Sequence, residues 1–574
     1  MMIALPASGS PIYVNERIGS SGDGSSWNSA FVSLTEALAV ARPNDEIWIA
    51  VGTYAPDPAA GRDGTLTIPD AVRVFGGFRG NEASVAERPN DLLDNPTVLT
   101  GEFSDNYSVV TVSNTGSSTL LDGLVIERGL ADVFASTARG RGAGIYGVNA
   151  GPTLNRVIVR NCTSFENGAG VYLENSGSLA ANISASEFRD NTTQNGGGGM
   201  AIDGAAFIDT SRFRRNEADL GGGGLLVVGD GVVVVSGCQF DDNNVTGTSS
   251  NAAGGGLLTL TDPGAVVQID DCRFEDNFAI NGGGGLALAG NGRQILIGSR
   301  IFGNDTSGGL SPFGGGLRLA LDSGQAFVEN CAITGNTSEG NGAGVAVLGD
   351  HDAFIANTTV VGNTTQGLVS GVSATSSDVV INNSIVYSNA SSTTAASRSI
   401  SMSRTLLGTL TVNRSLVEFW FDGSGPLPGT GTTDADPMFV DADGNDNTFG
   451  TADDNIRLMP GSPAIDAGSN LALTTFGAVD VFGALRFVDD TGTPDTGIGD
   501  GANPIVDIGA AEFQGTTPTD CVADTNGDGQ LGPNDFNAWI LAFNSQSPAC
   551  DQNGDGDCRQ NDFNAWVLNF NAGC

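Results

Sequence analysis

The sequence predicts an all-β chain folded as a parallel β-helix (solenoid), with a short capping helix at its N-terminal end and a small α-helical calcium-binding domain at its C-terminal end. Three observations lead to this prediction. A glycine cluster followed by apolar residues recurs along the chain, an apolar residue three positions before an Asn recurs in phase with it, and two Asp-rich loops lie near the C-terminus. Glycine accounts for 84 of the 574 residues, about twice its usual share of ~7%.

The glycine clusters mark the start of each predicted coil. Eight of them end 25 to 32 residues apart, a period typical of solenoids. They end at Gly144, Gly170, Gly199, Gly224, Gly256, Gly285, Gly316 and Gly344. The apolar runs between them are only three to six residues long, such as 232–235, which favours strands over helices. Stacked coils of this kind bury a continuous core that no single repeat can bury alone.

The second signature is an apolar residue followed three positions later by an Asn, repeated about every 28 residues. The nine pairs are Ile158/Asn161, Phe188/Asn191, Phe213/Asn216, Phe240/Asn243, Phe274/Asn277, Ile301/Asn304, Ile333/Asn336, Val360/Asn363 and Val386/Asn389. We expect the apolar member to point inward and stack on its equivalents, about 4.8 Å apart. The Asn is expected at a corner, where it tolerates the left-handed conformation and bonds the neighbouring coil. The glycines supply the tight bend before the next strand.

Three cysteines share one position of the repeat, two residues before the inward apolar residue. They are Cys238, Cys272 and Cys331, and other coils carry Ser at this position. A stack of small inward side chains explains them without a redox or metal role. Cys162 lies outside this register.

The N-terminal region has three predicted parts. Residues 1–11 have the character of the end of a signal peptide, with a disordered start as the alternative. Apolar residues at helical spacing between 34 and 41 predict a short amphipathic helix. Such a helix covers the open end of the solenoid, where unpaired strand edges are a liability. Residues 46–54 alternate as a strand.

The charge of the chain excludes several classes of function. It has 65 acidic residues against 25 basic ones, all of them Arg, for a net charge of −40. Such a surface repels phosphate backbones and anionic lipids, so no nucleic-acid partner is expected. No apolar run approaches the ~20 residues of a membrane span. The lack of Lys excludes Schiff-base and P-loop chemistry, and the single His351, predicted as a surface turn residue, excludes a two-His mechanism.

Residues 516–574 form a separate module with two Asp-rich loops 27 residues apart. Oxygen-bearing side chains at positions 1, 3, 5 and 12, a backbone carbonyl at position 7 and Gly at position 6 follow the pattern of an EF-hand calcium loop. The predicted Ca²⁺ ligands are Asp524, Asn526, Asp528, Gln530 and Asp535 in the first loop, and Asp551, Asn553, Asp555, Asp557 and Asp562 in the second. Asp stands at position 12, where an EF-hand usually has Glu.

A helix is predicted behind each loop, because apolar residues follow helical spacing there. These residues are Phe536, Trp539, Ile540 and Phe543, repeated 27 residues later as Phe563, Trp566, Val567 and Phe570. Four cysteines in so small a module point to disulfides and export. Of the three possible pairings we favour Cys521–Cys574 with Cys550–Cys558.

The repeats resemble those of chlamydial polymorphic outer membrane proteins and of bacterial surface β-helices of the choice-of-anchor type. This resemblance implies a right-handed parallel β-helix over residues 12–434. Residues 435–515 contain DPMFVDADG, GSPAIDAGSN and PIVDIGAAEFQ, which resemble the C-terminal finishing segment of that family. The two loop–helix units and the final Gly573 and Cys574 resemble a dockerin. That likeness implies a cohesin-like or cell-envelope partner and an extracellular or cell-surface location.

We expect no catalytic site in the solenoid. The nearest candidates are Asp242 and Asp276, which stacking at ~4.8 Å brings within reach of one Ca²⁺ ion. Arg215 or Arg214 is then the available base of a polysaccharide lyase. We favour the alternative, a solvated ladder of unlike charges, because an Arg side chain with a pKa above ~12 stays protonated.

A second acidic cluster lies between residues 441 and 454. Its members are Asp441, Asp443, Asn445, Asp446, Asp453 and Asp454. It is interpreted as a Ca²⁺-ordered loop of structural role, with Asp441, Asp443, Asn445 and Asp453 as the ligands. The alternative is an acidic disordered loop.

The sequence therefore predicts a secreted or cell-surface β-helical protein that is structural, adhesive or glycan-binding and carries a calcium-binding, dockerin-like anchoring module. The alternative is an extracellular polysaccharide lyase or glycoside hydrolase attached through that module. Ca²⁺ is the expected cofactor under both hypotheses, and a polysaccharide is an expected partner.

Overall fold

The protein folds as a parallel β-helix of about twelve coils, followed by a small helical module. The computed structural model describes residues 11–89, 94, 96–177, 179–249, 252–310, 312–375, 377–392, 398–402, 408–418, 429–472, 478–515, 523, 525, 532–545, 547–552 and 558–572. The predicted signal-peptide remnant lies outside the described residues except for Pro11. The coils build three parallel sheets. A typical coil contributes one strand to sheet 1, two to sheet 2 and one to sheet 3, because sheet 2 is bent into two arms.

Sheet 1 starts each coil, directly after the glycine cluster. Its twelve strands are Leu66–Thr67, Val110–Thr111, Ile145–Val148, Val171–Glu174, Met200–Asp203, Leu225–Gly229, Leu257–Thr261, Leu286–Gly290, Leu317–Leu321, Val345–Leu348, Val369–Thr375 and Arg398–Met402. The predicted glycine bend is present at its entrance. Gly222, for example, has φ +59° just before the strand that begins at Leu225.

Sheet 2 has 25 strands in two arms. The first arm contains Ile12–Val14, Glu46–Ala50, Arg73–Phe78, Leu120–Glu127, Thr153–Arg160, Ala181–Ser184, Ala206–Asp209, Val232–Ser236, Val266–Asp270, Arg293–Ile297, Gln325–Glu329, Asp352–Ala356, Asp378–Asn382 and Leu410–Asn413. The second arm contains Gly52–Tyr54, Thr97–Thr100, Glu187–Arg189, Arg212–Arg214, Gln239–Asp241, Arg273–Glu275, Arg300–Phe302, Ala332–Thr334, Thr359–Val361, Ile385–Tyr387 and Leu416–Val417. The strands that end at Glu127 and Arg160 run through both arms.

Sheet 3 consists of ten two-residue strands that close each coil. They are Leu130–Ala131, Thr163–Ser164, Thr192–Thr193, Glu217–Ala218, Asn244–Val245, Phe278–Ala279, Asp305–Thr306, Thr337–Ser338, Thr364–Thr365 and Ala390–Ser391. An antiparallel pair, Phe439–Asp441 and Asn455–Leu458, follows the solenoid. The helices are Leu34–Val40, Pro533–Ser545 and Gln560–Ala572, with 3₁₀ turns at Trp27–Ser29, Pro58–Asp63, Val85–Glu87, Asn470–Ala472 and Pro548–Cys550.

The predicted inward stack is confirmed in the second arm. Phe188, Phe213, Phe240 and Phe274 are in register in successive coils and are fully buried. Their ring centroids lie 4.9, 4.8 and 4.7 Å apart, which is the spacing of the strands that carry them. The core is therefore continuous along the solenoid, as a repeat protein requires.

The Asn residues of the repeat form a buried ladder. Each side-chain nitrogen donates to Oδ1 of the Asn in the next coil at 2.9 to 3.0 Å. The ladder contains Asn191, Asn216, Asn243, Asn277, Asn304, Asn336, Asn363 and Asn389. The predicted bond to the neighbouring backbone is also present, since Asn243 donates to the carbonyl of Phe213 at 2.9 Å.

The sequence predicts the left-handed conformation at the Asn of this corner. In the structure the residue before the Asn adopts it. These residues have φ between 49° and 68°. They are Asn161, Asp190, Arg215, Asp242, Asp276, Gly303, Gly335, Gly362 and Ser388. The Asn itself stays out of the left-handed region because its backbone N–H must bond the next Asn of the ladder, as Asn216 does with Asn243 at 3.1 Å.

The register predicted for the first copy of the repeat is wrong by one residue. Val159, not Ile158, pairs with Phe188 and is buried in the stack. Cys162 then takes the Asn position, and its backbone N–H donates to Oδ1 of Asn191 at 3.0 Å. Cys162 is therefore in the register of the ladder rather than outside the repeat.

The row of small inward residues is confirmed. Cys238, Cys272 and Cys331 are buried free thiols, and the row continues with Ser or Thr in other coils. Each oxygen or sulfur accepts a backbone N–H from the coil before it, as Ser211 Oγ does from Ser186 at 3.2 Å. Burial raises the pKa of the Cys331 thiol to about 12, so this thiol stays protonated and unreactive.

The predicted N-terminal helix is confirmed at Leu34–Val40. Ser33 and Glu36 form a capping box at its start, and its buried face packs at the end of the solenoid core. The predicted strand over residues 46–54 is broken at Val51 into two strands, and its first part does not alternate. Trp48 points outward there, yet it is buried because it stacks on Phe78 at 4.8 Å.

Residues 435–515 are here called the covering segment, and their described parts, 435–472 and 478–515, lie against the outward face of the second arm in the last coils. Ile456 and Ala510 pack on Val361, and Leu458 and Ile508 pack on Ile385. The backbone N–H of Ala510 donates to Oγ1 of Thr359, and that of Gly509 donates to the carbonyl of Asn383. The segment therefore runs along the side of the solenoid, with its own apolar layer outside the main core.

Candidate functional site

A ladder of paired charges follows the outward face of the second arm, in the coils that the covering segment leaves open. The ion pairs are Arg160–Glu127, Arg189–Glu187, Arg212–Asp241, Arg215–Asp190 and Arg273–Glu275, with N···O distances of 2.5 to 3.3 Å. Unlike charges thus offset each other, within one strand for Arg189–Glu187 and Arg273–Glu275 and between successive coils for the other three pairs. Ion pairs at the surface typically contribute only about 0–1 kcal/mol each to stability.

Asp242 and Asp276, two of the residues considered for a lyase site, occupy the left-handed corner of successive coils. Asp is one of the few residue types that adopts this conformation readily, so the backbone alone accounts for both. Burial, together with the charges of Glu275 and Asp242, raises the pKa of the Asp276 carboxyl. The two carboxylates are therefore close enough to repel each other.

Arg215, the third residue considered, forms a two-pronged ion pair. Its Nε and Nη2 donate to the two carboxylate oxygens of Asp190 at 2.8 and 2.9 Å. This bonding raises the pKa of the Arg215 guanidinium above its usual value. The arrangement suits a permanent cation in an ion pair and not a group that abstracts a proton.

A groove runs along the outward face of sheet 1. Its floor is apolar where Tyr172, Ala201, Leu226, Leu258 and Ala287 pack side by side in successive coils. Arg318 continues this row in the next coil, while the neighbouring outward row changes from Leu260 to Ala289 and Ala320. Sequence analysis missed this groove, although the run of Ala at outward positions after Leu260 was a visible signal.

A cavity of about 400 Å³ opens in this groove. Leu260, Ala289 and Ala320 line its floor, and Arg318 and Asp322 provide its charged groups. Nη1 of Arg318 donates to the carbonyl of Asn281 at 3.1 Å, whereas its Nε has no hydrogen-bond partner in the described part of the chain. Burial lowers the pKa of Arg318. The cavity is thus lined by apolar side chains and by one guanidinium, whose Nε is buried.

The C-terminal module contains the two predicted helices and one of the two predicted disulfides. Cys550 and Cys558 are bonded, with their Cα atoms 5.6 Å apart, whereas the Cys521–Cys574 pair lies outside the described residues. Trp539, Trp566 and Ala523 form its core. Ile540 and Phe563, which the helical spacing placed on the apolar face, are 36% and 39% exposed.

Each tryptophan of the module holds the start of the opposite loop. Trp539, from the first helix, donates its indole N–H to the carbonyl of Cys550 at 3.2 Å. Trp566, from the second helix, donates to the carbonyl of Ala523 at 3.3 Å. The two acceptors are 27 residues apart, like the two donors, so the module has the internal twofold arrangement that its repeat predicts. Both acceptors directly precede the first predicted ligand of a loop.

Of the ten predicted calcium ligands, the structure describes Asp535, Asp551 and Asp562, and the other seven lie outside the described residues. Asp535 and Asp562 are fully buried at the starts of their helices. Asp535 accepts the N–H of Gly532 at 2.8 Å, and Asp562 accepts those of Gln552 and Arg559. Both carboxylates thus point back toward their own loops.

The acidic loop of the covering segment is held by hydrogen bonds. Asp453 accepts the N–H of Asn445 at 2.9 Å and the hydroxyl of Thr451 at 2.6 Å. The bond from Thr451 lowers the pKa of Asp453. Among the described residues, the carboxylates of Asp441, Asp443 and Asp453 do not converge within 4.8 Å of one another.

His351 lies in a turn, as predicted, but it is buried and not at the surface. Burial lowers the pKa of its ring below the ordinary value, so His351 is neutral at pH 7. Among the described helices, none has the length and apolarity needed to cross a membrane.

One family model matches part of the chain. Residues 141–333 match the family model described as a right handed beta helix region. No curated protein matches the chain. A structure titled "Crystal structure of pectate lyase Pel9A" aligns with a TM-score of 0.38 and 14% identity over 88% of this chain and 97% of that one. The catalytic unit of a thermostable GH87 alpha-1,3-glucanase from Streptomyces thermodiastaticus strain HF3-3 aligns with a TM-score of 0.36 and 15% identity over 75% of this chain and 71% of that one. Over residues 141–333 the sequence is thus similar to right-handed β-helix regions, and the parallel coils continue on both sides of that stretch.

Proposed function

We propose that this chain is an extracellular or cell-surface β-helical protein that is anchored, in a Ca²⁺-dependent way, through its dockerin-like C-terminal module. The partner of that module is a cohesin-like or cell-envelope protein. The observation that supports this proposal is the reciprocal contact of Trp539 with Cys550 and of Trp566 with Ala523. These two bonds join the residue before each loop to the opposite helix, so we expect an ion that orders the loops to stabilise the helix pair as well.

Electrostatics supports the calcium requirement. Several Asp residues precede each helix in the sequence, and Asp535 or Asp562 is fully buried at the start of that helix. Such carboxylates repel one another unless a cation lies between them. A module of this size has little core of its own, so binding the ion and folding are expected to be coupled.

We expect removal of Ca²⁺ to loosen the module and to leave the solenoid intact. In the full chain, backbone amides of Pro533–Ser545 and Gln560–Ala572 should exchange with deuterium at least about tenfold faster in EDTA than in 1 mM CaCl₂. Peptides from Val232–Ser236 and Val266–Asp270 should exchange at the same rate in both. Hydrogen exchange with mass spectrometry measures all four segments in one sample.

The matched variants are Asp535→Asn with Asp562→Asn, and a control in which the exposed residues Asp209 and Asp434 become Asn. The first pair should abolish the response of the two helices to calcium, and the control should keep it. Helices that exchange equally in EDTA and in CaCl₂ in the wild-type chain rule out the calcium requirement.

We further propose that the groove on sheet 1 binds a polysaccharide. The observation that favours it is the cavity between Leu260 and Asp322, where the Arg318 guanidinium lies beside an apolar floor. Carbohydrates present hydroxyl acceptors and apolar ring faces together, and this surface matches both. A neutral glycan fits better than a uronate polymer, because acidic side chains such as Asp322 stand at the rim and the chain carries a net charge of −40.

Titration calorimetry with soluble neutral glucans and with polygalacturonate tests this site. Arg318→Ala should weaken glucan binding about tenfold, the value of one lost hydrogen bond to a charged donor. Ala320→Trp should abolish binding by filling the cavity. Arg293→Ala, outside the groove and packed on Phe327, should leave affinity unchanged. Tighter binding of polygalacturonate contradicts the neutral-glycan assignment, and release of unsaturated or reducing ends favours the lyase or hydrolase alternative.

A further inference from the structure

Three carboxylates from distant parts of the covering segment meet at one point. They belong to Asp466, Asp489 and Asp495, and one oxygen of each lies within 4.8 Å of the others. Asp466 belongs to the GSPAIDAGSN stretch, and the other two come from the loop that follows Arg486. Among the described residues this is the only such group of three. It contains none of the predicted calcium ligands.

Asp466 is a buried carboxylate without a hydrogen-bond donor. Its side chain is fully buried, and neither of its carboxylate oxygens has a partner among the described residues. A buried ionised group normally has such partners, because leaving water without compensation is costly. The two oxygens face the carboxylates of Asp489 and Asp495, which can only accept hydrogen bonds when ionised.

The backbone fixes Asp466 in this orientation. Its φ is +51°, in the left-handed region. Its own N–H donates to Oδ1 of Asp507 at 2.8 Å, and its carbonyl accepts the N–H groups of Thr496 and Gly497 at 3.0 Å. The backbone of Asp466 is therefore fixed beside the loop that carries Asp495.

The nearby buried cation makes its hydrogen bonds outside the cluster. Nη2 of the fully buried Arg486 donates to the carbonyls of Asp507 and Gly509, and its Nε lies 3.6 Å from Glu512. Its Nε and Nη1 have no hydrogen-bond partner among the described residues. Among those residues, Arg486 therefore donates no hydrogen bond to the carboxylate of Asp466.

We propose that Asp466, Asp489 and Asp495 bind a Ca²⁺ ion that fastens the loop of residues 489–497 to the rest of the covering segment. All three donors are carboxylate oxygens, the ligands that Ca²⁺ prefers, and soft nitrogen or sulfur ligands are not part of the cluster. Asp489 and Asp495 are exposed, so water can complete the six to eight ligands that Ca²⁺ takes. Mg²⁺ requires short, nearly ideal octahedral coordination. One buried Asp and two Asp residues of a surface loop do not enforce that geometry.

This site lies apart from the C-terminal module and goes beyond the function proposed for it. The ion binds Asp466, and the backbone N–H of Asp466 donates to Asp507, which also accepts the N–H of Phe513. The ion therefore connects the loop of residues 489–497 to this part of the covering segment. The covering segment in turn shields Ile385 and Val361 of the solenoid. The ion therefore stabilises the outer layer over the last coils.

The test counts bound calcium in the full chain. The variant Asp489→Asn with Asp495→Asn changes two exposed residues and should fold like the wild type. After dialysis against micromolar CaCl₂, elemental analysis should find one Ca²⁺ fewer per chain in this variant. The Asp209→Asn with Asp434→Asn control should bind the wild-type number. Equal numbers in all three proteins overturn the proposal.

A second measurement separates this site from the C-terminal module. Amides of residues 487–498 should exchange about tenfold more slowly in 1 mM CaCl₂ than in EDTA or in 1 mM MgCl₂, and the Asp489→Asn, Asp495→Asn variant should lose this response. The same experiment measures exchange in the two helices of the C-terminal module, which reports on the predicted calcium loops of that module. Protection of residues 487–498 by Mg²⁺ equal to that by Ca²⁺, or no protection by either, overturns the assignment.

Discussion

Replacing Phe240 by Ala is expected to lower the free energy of unfolding by about 4 kcal/mol. Phe240 is fully buried, and its ring lies 4.8 Å from that of Phe213 and 4.7 Å from that of Phe274. The substitution removes the buried ring surface and leaves a cavity between two rings. Parallel strands on both sides hold the backbone, so the neighbouring coils cannot close over the gap.

Urea unfolding followed by circular dichroism measures this loss. Phe207→Ala is the matched control, because Phe207 lies in the first arm of the preceding coil but points outward and is 48% exposed. The control should change stability by about 1 kcal/mol or less. Equal losses of unfolding free energy in both variants would mean that the buried ring stack stabilises the fold no more than an exposed Phe does.

The second large effect is expected for Asn243→Ala, which interrupts the Asn ladder. The side chain of Asn243 donates to the carbonyl of Phe213 and to Asn277, both at 2.9 Å, and accepts from the backbone and the side chain of Asn216. Ala removes all four bonds, although Oδ1 of Asn277 keeps the backbone N–H of residue 243 and the Asn216 side chain keeps the carbonyl of Phe188. At about 1–3 kcal/mol for each buried group left unpaired, with partial relaxation, we expect a loss of about 3–5 kcal/mol.

Asn244→Ala is the control for this substitution, since it changes the adjacent residue of the same type. Asn244 is half-buried, and its side chain makes only a 3.5 Å contact with the carbonyl of Asp242. Its replacement should cost about 0.5 kcal/mol or less. Hydrogen exchange at Asn216 should rise in the Asn243 variant alone. Retained protection of that amide would show that the ladder is dispensable.

The repeat could be predicted because its period and its chemistry agree. Eight of the nine apolar–Asn pairs occupy the positions that the sequence predicts, since Phe or a branched residue beside Asn is distinctive. The first pair fails because Ile158 and Val159 are both apolar and Cys162 replaces Asn. A one-residue slip of a strand exchanges its two faces, and nothing local in this stretch distinguishes the two registers.

The site residues divide in the same way. The corner of each coil was predictable, but its left-handed residue was assigned to the Asn, because Asn itself is common in that conformation. Because the Asn backbone N–H must bond the next Asn of the ladder, the left-handed φ falls one residue earlier, at Asp242 and its equivalents. That shift turns two residues considered for catalysis into corner residues with a conformational reason to be Asp.

The sequence by itself determined the solenoid, its period, its inward stack and the two helices of the C-terminal module, because these depend on short-range patterns that repeat. Only the tertiary structure decided where residues 435–515 lie, which groove stays open on sheet 1, and that Asp466 meets Asp489 and Asp495. These features depend on how single-copy segments pack on the outside of the coils. The outward apolar residues of the last coils, such as Val361 and Ile385, become informative only when the segment that covers them is known.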